Sequence, residues 1–248
     1  MEELEQSLFI VDLFNKIFGK PLSALLTLVG IKVKNPEHLI PDYIVMCLIV
    51  AAFLILFFGL ASRKLRLIPS KKQSILELVI QAFESVLVEM VGEKGRKYLP
   101  MIATLGLFIL FCNILGLVPG FMSPTSKLNV TVGCALSVFV YYHWQGIKSQ
   151  GFLKYLKQFT GPIPLLTPFF FPIEIISHFS RPLSLSVRLF GNIFAEEVLI
   201  VVISSFIPFL LPIPFMVIAI FTSIIQAFVF VLLSCLYIGG AVAHEEEH

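Results

Sequence analysis

Charge is scarce over the last third of this chain. Beyond Lys157 the only lysine or arginine residues are Arg181 and Arg188, and between Lys157 and Ala243 the only acids are Glu174, Glu196 and Glu197. Cysteine is equally uninformative as chemistry: Cys47, Cys112, Cys134 and Cys235 fall in apolar segments without CxxC spacing, so they read as core fillers, and neither a metal nor a cofactor is expected. The opening residues, MEELEQSLFIVDLFNKIFGK, lack the basic head and small-residue cleavage site of a secretory signal, and also the arginine-rich look of a transit peptide, so they are expected to stay on the mature protein. A net charge of +2, with the lysines and arginines gathered between apolar runs and not on one basic face, argues against nucleic-acid binding.

What the chain has in quantity is apolar surface. It is 57% hydrophobic and 14% charged, with a mean hydropathy of +0.93, more than a soluble globule could bury. The expectation is an all-α polytopic membrane protein with five spans plus an interfacial helix, the last two spans long and strongly tilted. Residues 1–42 form an outer-side segment in which Leu4, Leu8, Val11, Phe14 and Phe18 recur at helical steps, giving either an amphipathic helix at the interface or a tail helix packed on the protein. Residues 43–243 form one membrane domain. The run Tyr43 to Leu60 is the first span; Tyr98 to Val118, with Asn113 near its outer end and Pro119 and Gly120 closing it, is the second; Leu128 to Tyr142 is the third.

Arg63, Lys64, Arg66, Lys71 and Lys72, with Lys94, Arg96 and Lys97 further on, make the densest positive loop, which the positive-inside rule places on the cytoplasmic side. Between them Ile75, Val79, Phe83, Val86 and Met90 line one face of a segment too charged to span, expected to lie flat on the inner surface. Tyr141, Tyr142 and Trp144 mark an aromatic belt before Lys148, Lys154 and Lys157. From Gly161 to Ala243 the chain is longer than two spans need. Pro208, Pro212 and Pro214 divide it into two long helices, and Pro182 offers a kink site in the first. Residues 244–248, His-Glu-Glu-Glu-His, form an inner tail that reads as a solvated terminus.

The five late charges then need a reason, because a charge at the bilayer centre costs about 2.5–3.5 kcal/mol on insertion scales. At about 100° per residue Glu174, His178, Arg181, Arg188, Asn192 and Glu196 share one helical stripe, while Glu197, nine residues after Arg188, faces the opposite way. Arg181, nearer the inner surface, is open to two readings, a functional charge or one that snorkels to the headgroups. Arg188 lies near mid-span and keeps its proton, so it serves as a fixed positive charge. Glu196 is about 12 Å further along the axis, too far to pair without bending, which points to a counter-charge from another chain. The pattern is an outer acidic vestibule at Glu196 and Glu197 and an inner one at Glu174 and His178, separated by Arg188; carboxylates and imidazole are the groups that relay protons when partly desolvated.

The run RPLSLSVRLFGNIFAEE, with Gln226 in the following helix, resembles subunit a of the F-type ATP synthase, and the likeness extends from Asn113 to Tyr237. That resemblance implies a stator beside a rotating ring of c subunits, working with peripheral-stalk b subunits and the rest of the complex, not an enzyme by itself, in a bacterial cell inner membrane or, alternatively, a thylakoid membrane. It implies that Arg188 is the essential arginine facing the ring carboxylates. Asn192, Glu197 and Gln226 would then line an outer half-channel, and Glu174, Ser177 and Arg181 the inner exit. Where some relatives pair a glycine before the second acid with a histidine in the last helix, this chain has Glu196 and Ala219, so Glu196 stands in for the imidazole as a hypothesis. A secondary transporter with a midplane ion or substrate site is the competing reading, though no convincing internal repeat supports it.

Overall fold

The structure, a computed structural model, describes residues 9–19, 39–64, 69–118, 121–158, 167–206 and 210–242. Leu4, Leu8, Arg66, Pro119, Gly120, Gly161, Pro208 and the tail from His244 to His248, all singled out above, lie outside the described residues.

Among the described residues the regular elements are all helical. Helix α1 (Phe9–Phe14) runs into a π turn at Asn15–Gly19 and packs on the start of α2 (Asp42–Ala61). Val11 is buried with Val45 and Met46, and the side-chain amide of buried Asn15 bonds both main-chain groups of Ile40, at 3.1 and 3.0 Å. Of the two expectations for this segment, packing on the protein describes that face, while Leu13 and Ile17 remain exposed.

Helix α2 is apolar on every side, as a span surrounded by lipid and helices must be. Val50 and Leu54 pack on α4 (Leu99–Leu115), and Ile55 and Leu56 point outward. Helix α3 (Lys71–Val91) carries the charged amphipathic sequence and stops at Gly92, whose φ of 84° is a conformation that side chains with a Cβ avoid. A 3-10 turn, Glu93–Tyr98, then leads into α4. Another 3-10 turn, Pro124–Ser126, precedes α5 (Leu128–Gln150). That helix runs eight residues past the apolar stretch ending at Tyr142 and is closed by Gly151, again at positive φ, 83°. The short α6 (Phe152–Gln158) had no counterpart in the sequence reading.

Two long helices finish the bundle. Helix α7 (Thr167–Phe206) holds Pro172 and Pro182 in its interior, and α8 (Pro212–Val242) begins on a proline, where the missing N–H costs nothing. The main core lies where α4, α5, α7 and α8 meet, around Ile109, Val138, Leu189, Val231 and Cys235. Cys112 and Cys134 are likewise buried in apolar cores.

Four stretches among the described residues are long and apolar enough to cross a membrane: Asp42–Ala61, Glu93–Leu115, Phe170–Phe206 and Pro212–Val242. Another long helix packed among them, α5, carries His143, Gln145 and Lys148 toward its end and is more polar. The chain is an all-α, multi-pass membrane protein.

Candidate functional site: polar clusters along the α7–α8 seam

Helices α7 and α8 run antiparallel in a single register fixed by two polar contacts. Asn192 donates its amide to the Gln226 side-chain oxygen at 2.8 Å, and the Arg181 guanidinium lies over the Tyr237 ring at 5.4 Å from its centre. Stepping back eleven residues on α7 advances eleven on α8, which is three helical turns, so both contacts fall on the same seam. Gln226 is buried there.

One turn beyond Asn192, Glu196 is half-buried, and its Oε1 is enclosed without a hydrogen-bond partner among the described residues. The shared register puts it level with Thr222 and Ser223; the Ser223 hydroxyl is also buried and unpartnered. Ala219, fully buried, offers only a methyl group at the next turn.

Glu197 faces away from this seam, as its angular offset predicts. Its Oε1 accepts from the Ser123 backbone N–H at 3.0 Å, beside the Ser126 hydroxyl. Ser123 and Thr125 share a 2.8 Å hydroxyl contact, and Thr125 donates to Asn113 Oδ1 at 2.6 Å. This knot of small polar side chains ties the loop between α4 and α5 to the acid. Asn113 keeps one buried amide nitrogen unpartnered among the described residues.

Toward the other end, His178 is almost fully enclosed. Its Nε2 approaches Glu174 Oε1 at 3.4 Å, and its Nδ1 approaches the Tyr142 hydroxyl at 3.2 Å. The guanidinium of Arg181 stands beside that same hydroxyl, and the His143 ring meets His178 edge-on at 5.2 Å. Ser177 is half-buried, and its carbonyl accepts from the Ser180 hydroxyl at 2.8 Å. Tyr142 belongs to the expected aromatic belt and His143 carried no expectation; α5 brings both into the cluster because it continues as a helix beyond the apolar run.

Arg188 belongs to neither cluster. It is exposed on α7 between buried Leu185 and Leu189, flanked on the open side by Leu183 and Val187. Among the described residues no carboxylate lies within ion-pair distance of it. The sequence stripe is thus divided by the structure: His178 is buried, Arg181 and Glu196 are half-buried, exposed Asn192 is held by Gln226, and Arg188 is left facing outward.

Ionisable and amide side chains threaded through the two longest spans of a helical bundle define an integral membrane protein with a polar site inside the bilayer. Residues 44–239 match the family described as ATP synthase A chain. Among relatives named ATP synthase subunit a, one from Campylobacter jejuni strain 81-176 is 46% identical over 202 residues, covering 81% of this chain and 89% of the relative. The relative named ATP synthase subunit a 1 from Pelobacter propionicus is 44% identical over 220 residues, 88% and 95% of the two chains. One from Campylobacter fetus is 42% identical over 209 residues, 84% and 92%. The chain belongs to the ATP synthase subunit a family, and its role lies in the membrane sector of the F-type ATP synthase.

Proposed function

We propose that this chain is the stationary, non-catalytic component that gives protons two offset paths to carboxylates on a ring of c subunits, with Arg188 standing between the paths. The observation that carries this reading is the placement of Arg188. A permanent cation within a span, exposed and without an ion-pair partner among the described residues, calls for an anion from a neighbouring chain.

A proton reaching the outer group, Glu197, Glu196, Asn192 and Gln226, passes to a ring carboxylate. The neutral carboxyl has no attraction to the guanidinium and turns into lipid; after nearly one revolution it releases its proton toward Glu174, Ser177, His178, Arg181 and Tyr237. The ionised carboxylate that results is held by Arg188 until the next proton arrives. Each charge that crosses supplies about 2.3 kcal/mol per 100 mV. Direction comes from Arg188, because the short way round would require a proton to pass a fixed positive charge.

Support for separate paths lies in the divided clusters: Glu197 is engaged by the loop before α5, and Glu174 by His178 about 35 Å nearer the other end of α7. In this reading α5 is the third of five spans, residues 43–243 act as one membrane domain with 1–42 on its outer side, and b subunits of the peripheral stalk complete the stator. The setting is the bacterial inner membrane.

Arg188→Ala provides the test, in inverted vesicles containing the assembled complex. ATP-driven acidification should vanish while the complex still assembles. Acidification at the wild-type rate would remove the role given to Arg188.

A further inference from the structure

The last turns of α2 and the first half of α3 enclose a groove of about 860 Å³. Its walls are apolar, with Phe57 and Leu60 on one side and Ile75, Leu76 and Ile80 on the other. Its mouth is polar, formed by Ser62, Ser70 and Lys72, and Arg63 and Lys71 stand exposed beside it. The one acid in the lining, Glu77, already accepts a 2.8 Å hydrogen bond from Gln73.

We propose that this groove is a binding site for an anionic phospholipid of the inner leaflet, with an acyl chain between α2 and α3 and the phosphate at Lys72, supported by Arg63 and Lys71. The shape favours a lipid over a neighbouring polypeptide. The groove meets α2 only over residues 57–62, a length of about 9 Å, whereas a second transmembrane helix packed there would follow α2 along most of its 20 residues. Charge selects the headgroup. Lys72 lines the groove, exposed Arg63 and Lys71 are the chain neighbours of lining residues Ser62, Ser70 and Lys72, and the one acid is hydrogen-bonded; basic pockets between membrane helices on the cytoplasmic side recruit anionic lipid. The first turn of α3 begins at Ser70, itself part of the lining, and the leading main-chain N–H groups of a helix have no acceptor within it. The site depends on the inward orientation of the basic loop and is independent of the reading of Arg188.

The test uses the assembled complex, reconstituted in bilayer discs made of equal parts phosphatidylcholine and phosphatidylglycerol, then transferred to mild detergent so that retained lipid can be identified by native mass spectrometry. The wild type should retain phosphatidylglycerol in clear preference to phosphatidylcholine. Lys71→Gln with Lys72→Gln should cut that preference roughly tenfold. Leu76→Trp, which fills the groove and leaves the cations in place, should abolish the retained phosphatidylglycerol as well. Equal retention of both lipids by the wild type would overturn the proposal without recourse to any variant. So would an unchanged preference in the lysine pair, or a photo-crosslinker at Leu60 that labels a protein chain and not lipid.

Discussion

At the scale of single residues, the polar atoms between α7 and α8 behave differently from those on a soluble surface, because lipid offers them no alternative partner. The Asn192 to Gln226 bond is the clearest case. A double-mutant cycle with Asn192→Ala and Gln226→Ala, read as unfolding free energy in detergent or bicelles, should give a coupling of about 0.6 kcal/mol and no more than ~1.7 kcal/mol. A coupling indistinguishable from zero would mean that the two side chains do not rely on each other. Glu196 calls for a different measurement, since its enclosed oxygen and the Ser223 hydroxyl both lack partners among the described residues. If Glu196 relays protons, Glu196→Gln should slow ATP-driven pumping severalfold while leaving assembly unchanged, and pumping at the full rate would retire the relay. Asn192 and Glu196 were legible in the sequence by type and helical phase, Gln226 through the family resemblance, and Ser223 carried no signal. What phase could not give was the engagement of each one, because periodicity records direction from a helix axis and says nothing about which neighbour stands there.

At the scale of elements, the apolar runs marked α2, α4, α7 and α8 well, since length and hydropathy are what the bilayer imposes on a span. Boundaries were harder. Helix α5 continues through His143, Gln145 and Lys148 because backbone hydrogen bonding does not stop where apolarity does, and that extension delivers Tyr142 and His143 to the inner cluster. Seven residues with two lysines gave no periodic signal for α6. The loop between α4 and α5 offered the sequence reading only its single basic residue, Lys127, as an outside loop should, yet it is anchored across 74 positions of sequence by Glu197. Hydrogen exchange can test that anchor: Glu197→Ala should speed exchange of the Ser123 amide markedly and leave the core amides of α4 unaffected. Unaltered protection at Ser123 would show that the loop is held by its own hydroxyl contacts.

At the scale of the whole molecule, the distribution of lysine and arginine gives the side each loop is expected to face. Single cysteines replacing Lys94 and Lys127, in a background where the four native cysteines are changed to serine or alanine, should react with a membrane-impermeant maleimide from opposite sides: Lys94→Cys only in inverted vesicles, Lys127→Cys only in intact cells. Labelling from the same side would break the five-span topology. The two contacts that set the α7–α8 register have a mechanical meaning as well. One rivet between two rods allows them to pivot; two, spaced about 16 Å apart, resist both swivel and slip, so a sideways load on α7 must shear both together.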